Sequence, residues 1–245
     1  MAALGIRIYG LGAVALGLVG IIWGNFALQW QPVAPWFPAR TLLAYLFAAA
    51  LLVAGVITQQ RPKTGVAALI ALYGAVVVLM HGPAVIQNPD AFYVWNGAAE
   101  QLALVAGGLA VRFGRVAVKI MGVCLVTFGI AHFVYLDFTA SMVPAWLPGG
   151  QRFWAAATGV GHLAAGLAFL TGIQVRLAAI AVTAMFGSFS LLVHLPLLVS
   201  NPNAHMSWVI NAINLALTGA AWAFVTCLTH AAKAPAAESP QRVLQ

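Results

Sequence analysis

Eight apolar stretches, each about as long as a hydrocarbon crossing, take up most of this chain: about 6–28, 40–58, 65–86, 92–111, 116–137, 153–171, 176–199 and 206–228. A helix rises about 1.5 Å per residue, so roughly twenty residues cross the hydrocarbon layer. Lipid offers no partner to an open backbone N–H or C=O, so each crossing is expected to be a helix. The expected fold class is all-α, a polytopic membrane protein with eight transmembrane helices. A water-soluble globule is excluded by composition: 63% of the residues are hydrophobic and 6% charged, against roughly 25% charged in soluble domains. The first stretch has one early charge, Arg7, and no small-residue cleavage site after it, and is expected to stay as a helix.

The formal charge of +7 is therefore not the footprint of a nucleic acid; the expected surroundings are a lipid bilayer. With eight crossings, Arg7, Arg61, Lys63, Arg112, Arg115, Lys119, Arg176, Lys233 and Arg242 fall on the side of the N-terminus, and only Arg40 and Arg152 on the other. Basic residues collect on the cytoplasmic side, which puts both termini there. Cys124 and Cys227 fall near the ends of spans on that reducing side, outside any CxxC arrangement. They are expected to be small packing residues.

The chain repeats itself. His81, Pro83, Asn88, Pro89 and Trp95 recur 113 residues later as His194, Pro196, Asn201, Pro202 and Trp208. Trp36 and Pro38 match Trp146 and Pro148 at an offset of 110, and Arg40 matches Arg152 at 112. A steady offset with small insertions is the mark of duplication. The expected organisation is two four-helix repeats of parallel orientation, 1–113 and 114–230, packed about a pseudo-two-fold axis along the membrane normal. The tail, 231–245, has no apolar period and is expected to be disordered.

The most unusual segment runs from His132 to Trp154. Pro144 and Pro148 bracket Trp146, and Gly149 and Gly150 follow. Proline cannot continue a helix, yet the segment is too apolar for an ordinary solvated loop. It is expected to form a corner at the outer membrane–water boundary, where a Trp ring is favourable. Gln29 to Arg40 is a poorer copy.

This corner and the helix after it resemble the DoxX-like family of bacterial membrane proteins. The residues that carry the resemblance are His132-Phe133, Pro144-Ala145-Trp146-Leu147-Pro148, Gly159 and Gly166, Arg176-Leu177-Ala178-Ala179, and His194-Leu195-Pro196. It covers about 116–228 well; the first half looks like a diverged copy, with Ile22 in place of His132. The resemblance implies a four-helix unit, here present twice, in a bacterial cytoplasmic (inner) membrane. Some relatives are implicated in respiratory or thiosulfate-to-quinone electron transfer, or in redox complexes with other subunits or soluble partners. Fold is better supported than chemistry by such a likeness.

Ionisable residues inside a bilayer are costly and face the protein interior. Glu100 is the only acid deep in a span and shares a helix face with Asn96. It is either a proton carrier or cation ligand, or a neutral carboxyl bonded to a neighbouring helix. His132, His162 and His194 concentrate in the second repeat. Each is either an interhelical polar contact or part of a site; for the His-x-Pro pair, His81 and His194, the imidazole is expected to bond carbonyls that proline frees. With Glu100 they are the candidate chemical residues. Quinone or haem are the possible cofactors, since imidazoles on two helices can ligate haem axially. No metal site is expected, because no two histidines stand at i, i+4 on one helix. Arg152 and Trp146 are weaker candidates for holding a head group; Arg152 equally fits pairing with Asp137 to fasten the corner. Asn211 belongs to a stripe with Ser207, Asn214 and Thr218 on one face of the last span, which either bonds a neighbour or lines a cavity. Gly159 and Gly166 mark a close helix contact.

Three functions stay open: a membrane subunit of a quinone-linked redox system, with a small-molecule or cofactor site in the outer half of the second repeat; a small-solute carrier or channel; or a non-catalytic scaffold. Against a carrier stands the lack of a Gly/Pro break at matching mid-span positions.

Overall fold

The computed structural model describes residues 2–110 and 114–233, and every element among them is helical. The order is α1 (Ala2–Trp23), a 3-10 turn (Leu28–Trp30), α2 (Arg40–Gln60), α3 (Pro62–Val76), α4 (Gly82–Gln87), α5 (Phe92–Leu109), α6 (Gly114–Val134), α7 (Leu136–Met142), α8 (Gln151–Thr171), α9 (Val175–Phe189), α10 (Leu195–Ser200) and α11 (His205–Lys233). Among the described residues seven helices are long and apolar enough to cross a membrane, counting Pro62–Gln87 and Val175–Ser200 as one each. The expected fourth span, α5, is not among them: it carries Asn96, Glu100 and Gln101. It is instead sheltered by its neighbours, with Gln101, Ala103, Leu104, Ala106 and Gly107 among its buried residues.

Three boundaries differ from expectation. The first helix ends at Trp23 rather than near 28, because Gly24 takes a positive φ of 58° and turns the chain out of the helix. The fifth stretch breaks after Val134 into the short α7. At the C-terminus α11 continues through Lys233, although disorder was expected from 231. Arg112 and residues 234–245, with Arg242 and the rest of the expected tail, lie outside the described residues.

Proline accounts for the two interrupted helices. Pro83 and Pro196 have no N–H to give and stand in the first turns of α4 and α10. Just before each, the helix widens into a five-residue π segment, Val77–His81 and Ser190–His194, 113 residues apart. A wider turn absorbs the missing donor that would otherwise break the helix. Each short helix ends at an asparagine with nearly the same backbone, Asn88 at φ −134° and Asn201 at φ −132°. An indole then closes the turn: Trp95 Nε1 donates to the Pro89 carbonyl and Trp208 Nε1 to that of Pro202, both at 2.8 Å. Trp154 does the same to Pro148 at 2.7 Å, closing the long corner.

α1 packs along α2 and α11, and α6 packs along α8 and α5. α3 lies on α2 and α5, α9 on α8 and α11, and α5 meets α11. Small residues let these backbones approach: a Cβ added at Gly12 would come within 2.6 Å of the Ala216 backbone. Gly159 and Gly166 mark the α6–α8 seam as expected, the first against His132 and Phe133, the second against Val126. At one end of the bundle Gln59 Nε2 bonds the Arg7 carbonyl and Lys119 donates to that of Leu170. At the other end Trp23 meets Trp208, ring centroids 6.3 Å apart, and Phe92 meets Tyr135 at 6.1 Å. Trp36 and Trp146 are exposed at that second end, at 81% and 71%, as membrane-interface aromatics are.

Candidate functional site

The second end contains a cavity of about 900 Å³. Its walls are mostly apolar: Trp30, Phe128, Phe138, Trp154, Phe186 and Phe189 all contribute. The few polar groups include Glu100, Asn96, His132, His162, His194 and Asn214. Four candidates from three expected spans of the second repeat and one of the first, Glu100, His132, His162 and His194, thus meet around a single space. The weaker candidates do not. Arg152 donates to Asp137 at the surface, in its fastening role. Asn211 gives its amide to the carbonyls of His194 (2.7 Å) and Ser207 (2.8 Å). Trp146 lines a neighbouring cavity of about 600 Å³, which shares Met142, Val143 and Leu192 with the larger one.

The histidine pair has a defined chemistry. His132 Nδ1 lies 2.8 Å from the Phe128 carbonyl and His162 Nδ1 3.0 Å from that of Thr158, each one turn back on its own helix. A carbonyl only accepts, so Nδ1 carries the proton in both rings, and in the neutral imidazole Nε2 is a lone pair. The ring centroids are 4.8 Å apart. Phe128, Phe186 and Phe189 surround His162, with centroids 5.7 to 6.2 Å away. His162 is 1% exposed and its Nε2 has no partner among the described residues. An unmet buried acceptor costs about 1–3 kcal/mol.

Glu100 sits in a different setting. One carboxyl oxygen accepts from the Trp30 indole N–H, the other from Asn96 Nδ2 at 2.7 Å. Two donors on two oxygens suit a carboxyl group held in place by its own helix and by the 3-10 turn. Trp30 is 4% exposed, and its carbonyl takes a 3.3 Å hydrogen bond from His81 Nε2. The imidazole of the first His-x-Pro therefore ties down Trp30, not the carbonyl freed by its own proline as expected. The second departs further: no ring nitrogen of His194 has a partner among the described residues, and its Nδ1 is buried. Sequence reasoning missed Trp30, although the later copy of that corner has Ala140 at the matching place. It also missed Gln101, 1% exposed with its whole amide unpartnered, and Tyr135 in the cavity wall.

Haem and quinone, the two cofactors that the sequence left possible, differ in how they meet this geometry. Two imidazoles on opposite faces of a haem iron bond at about 2 Å each, which sets their centroids about 6 Å apart. His132 and His162, at 4.8 Å, leave no room for a porphyrin between them. No group of three or more His, Cys, Asp or Glu among the described residues could hold a metal ion. A flat lipophilic ring with polar ends, such as a quinone, does fit an apolar cavity with a few convergent polar groups.

A family model described as "Domain of unknown function (DUF8561)" matches residues 121–231. The matched stretch holds His132, His162 and His194 but not Glu100 or Trp30. No curated protein and no solved structure matches the chain.

Proposed function

We propose that this chain is a DoxX-like membrane subunit of a quinone-linked redox system in a bacterial inner membrane, and that it binds a lipophilic quinone-type molecule in the outer cavity. The observation that carries the reading is one apolar space in which His132, the buried and unpartnered Nε2 of His162, His194 and Glu100 converge. A bound quinone supplies two-electron, two-proton chemistry. His132, His162 and His194 would hold its polar end, and the aromatic walls its body. The electrons belong to another subunit or a soluble partner.

The accompanying topology is eight crossings in two repeats, 1–113 and 114–230, with both termini in the cytoplasm. It is supported by the matched π segments and by helix pairings that come in twos: α1–α2 with α6–α8, α3–α5 with α9–α11, and α1–α11 with α6–α5. α5 crosses despite its polar residues because protein, not lipid, surrounds it. Arg7, Arg61, Lys63, Arg115, Lys119 and Arg176 then share the inner side.

The test uses purified protein in lipid nanodiscs. Trp30 and Trp154 line the cavity, so a short-chain benzoquinone should quench tryptophan fluorescence saturably, and Ala131→Phe, which fills part of the space, should weaken it. Quenching that does not saturate, or that Ala131→Phe leaves unchanged, counts against the site.

The paired π segments favour a second reading, a small-solute carrier, because interrupted helices at matching places are a carrier feature. Liposome flux compared between wild type and Glu100→Gln separates the two.

A further inference from the structure

The polar end of the cavity has a sign. His132 and His162 both spend Nδ1–H on carbonyls of their own helices, at 2.8 and 3.0 Å. Both therefore present Nε2 as a lone pair, with ring centroids 4.8 Å apart. Neither can satisfy the other, and no group among the described residues donates to either nitrogen. His162 is 1% exposed, so bulk water does not relieve its Nε2. Glu100 is engaged elsewhere, its two oxygens taken by Trp30 and Asn96. Tyr135, Thr139, Gln29 and His194 can act in either sense, so the imidazole pair decides. A carbonyl brought to it would add a third lone pair; a hydroxyl brings the missing donor.

We infer that the His132–His162 pair selects the hydroxylated form of a lipophilic ring, a hydroquinone or alkylphenol, over its carbonyl form. This rests on the quinone-type reading of the cavity and adds which redox form it holds. Phe128, Phe186 and Phe189 form the wall beside the pair and suit an aromatic head group.

The experiment measures equilibrium binding of three probes to the full chain in nanodiscs, corrected for empty nanodiscs: a decyl benzohydroquinone, the matching benzoquinone, and the dimethyl ether of the hydroquinone. One buried hydrogen bond to a bare acceptor predicts that the hydroquinone binds about tenfold more tightly than the other two. In His162→Phe that difference falls to less than about threefold; His132→Phe, at a half-buried position, serves where His162→Phe does not fold. Benzoquinone binding as tightly as hydroquinone overturns the inference and leaves the cavity reading in place. A preference that survives in both variants overturns it too. Binding of none of the three overturns both readings.

Discussion

Gly159 lies directly against His132: a Cβ added to the glycine would stand 2.8 Å from the His132 Cβ and 3.0 Å from the Phe133 ring. The absence of a side chain on α8 thus brings the His132 ring into contact with His162, one turn further along α8. Overpacking of this kind costs about 1–3 kcal/mol. Gly159→Ala should lower stability by about that much and weaken hydroquinone binding. Gly161→Ala is the control, because its added Cβ meets only Met185 Sδ, at 3.6 Å. Denaturant titration in mild detergent, with the binding assay, checks both; equal effects at the two glycines would remove the proposed role.

The corner after α7 has two fastenings of unequal worth. Arg152 and Asp137 have side chains 66% and 83% exposed, and an exposed ion pair contributes less than about 1 kcal/mol. The Trp154 indole instead ties the first turn of α8 back to Pro148. Arg152→Ala should barely move the unfolding midpoint, whereas Trp154→Phe should loosen the corner and speed proteolysis between Pro144 and Gln151. Faster cutting in Arg152→Ala than in Trp154→Phe would reverse the ranking.

Much of this was legible because the bilayer reduces the choice of structure to long apolar helices. The π segments were foreshadowed by proline at matching positions, although the sequence reading expected no matched break at mid-span. What the sequence hid was tertiary. Trp30 acts through Glu100, seventy residues away, so no local pattern marks it. His132, His162 and His194 sit on different helices, and only packing, with Gly159 in the seam, shows that they share a space. Asn96, Glu100 and Gln101 set α5 apart from the seven apolar helices, and much of α5 is buried against the rest of the protein.

The polar stripe of α11 divides into residues that bond across helices and residues that bond within. Asn214 Nδ2 reaches the Phe186 carbonyl at 2.8 Å and Ser190 Oγ at 2.6 Å, so it holds α9 where the π segment begins. Thr218 donates only to the Asn214 carbonyl of its own helix. Asn214→Leu should cost about 1–3 kcal/mol by leaving those acceptors unmet, while Thr218→Val should stay within about 0.5 kcal/mol. The two unfolding free energies, measured side by side, give the result; similar losses would mean that the stripe works as a unit.

Glu100 offers the sharpest separation of shape from charge. Its oxygens take hydrogen bonds from Trp30 and Asn96, and Asn96 Oδ1 is buried without a partner. In Glu100→Gln one carboxamide oxygen still serves the indole. The new NH2 faces Asn96, whose amide can turn to present the idle Oδ1. That variant should fold with nearly unchanged stability, and hydroquinone should still bind if the imidazole pair is what selects it. Glu100→Leu has no such repair: Trp30 and Asn96 both lose their acceptor, at about 1–3 kcal/mol. Trp30→Phe combined with Glu100→Leu should then cost less than the two single losses added together, since one mutation already orphans what the other removes. A double-mutant cycle by unfolding provides the measurement, and strict additivity would show that the Trp30–Glu100 bond contributes nothing to holding the 3-10 turn against α5.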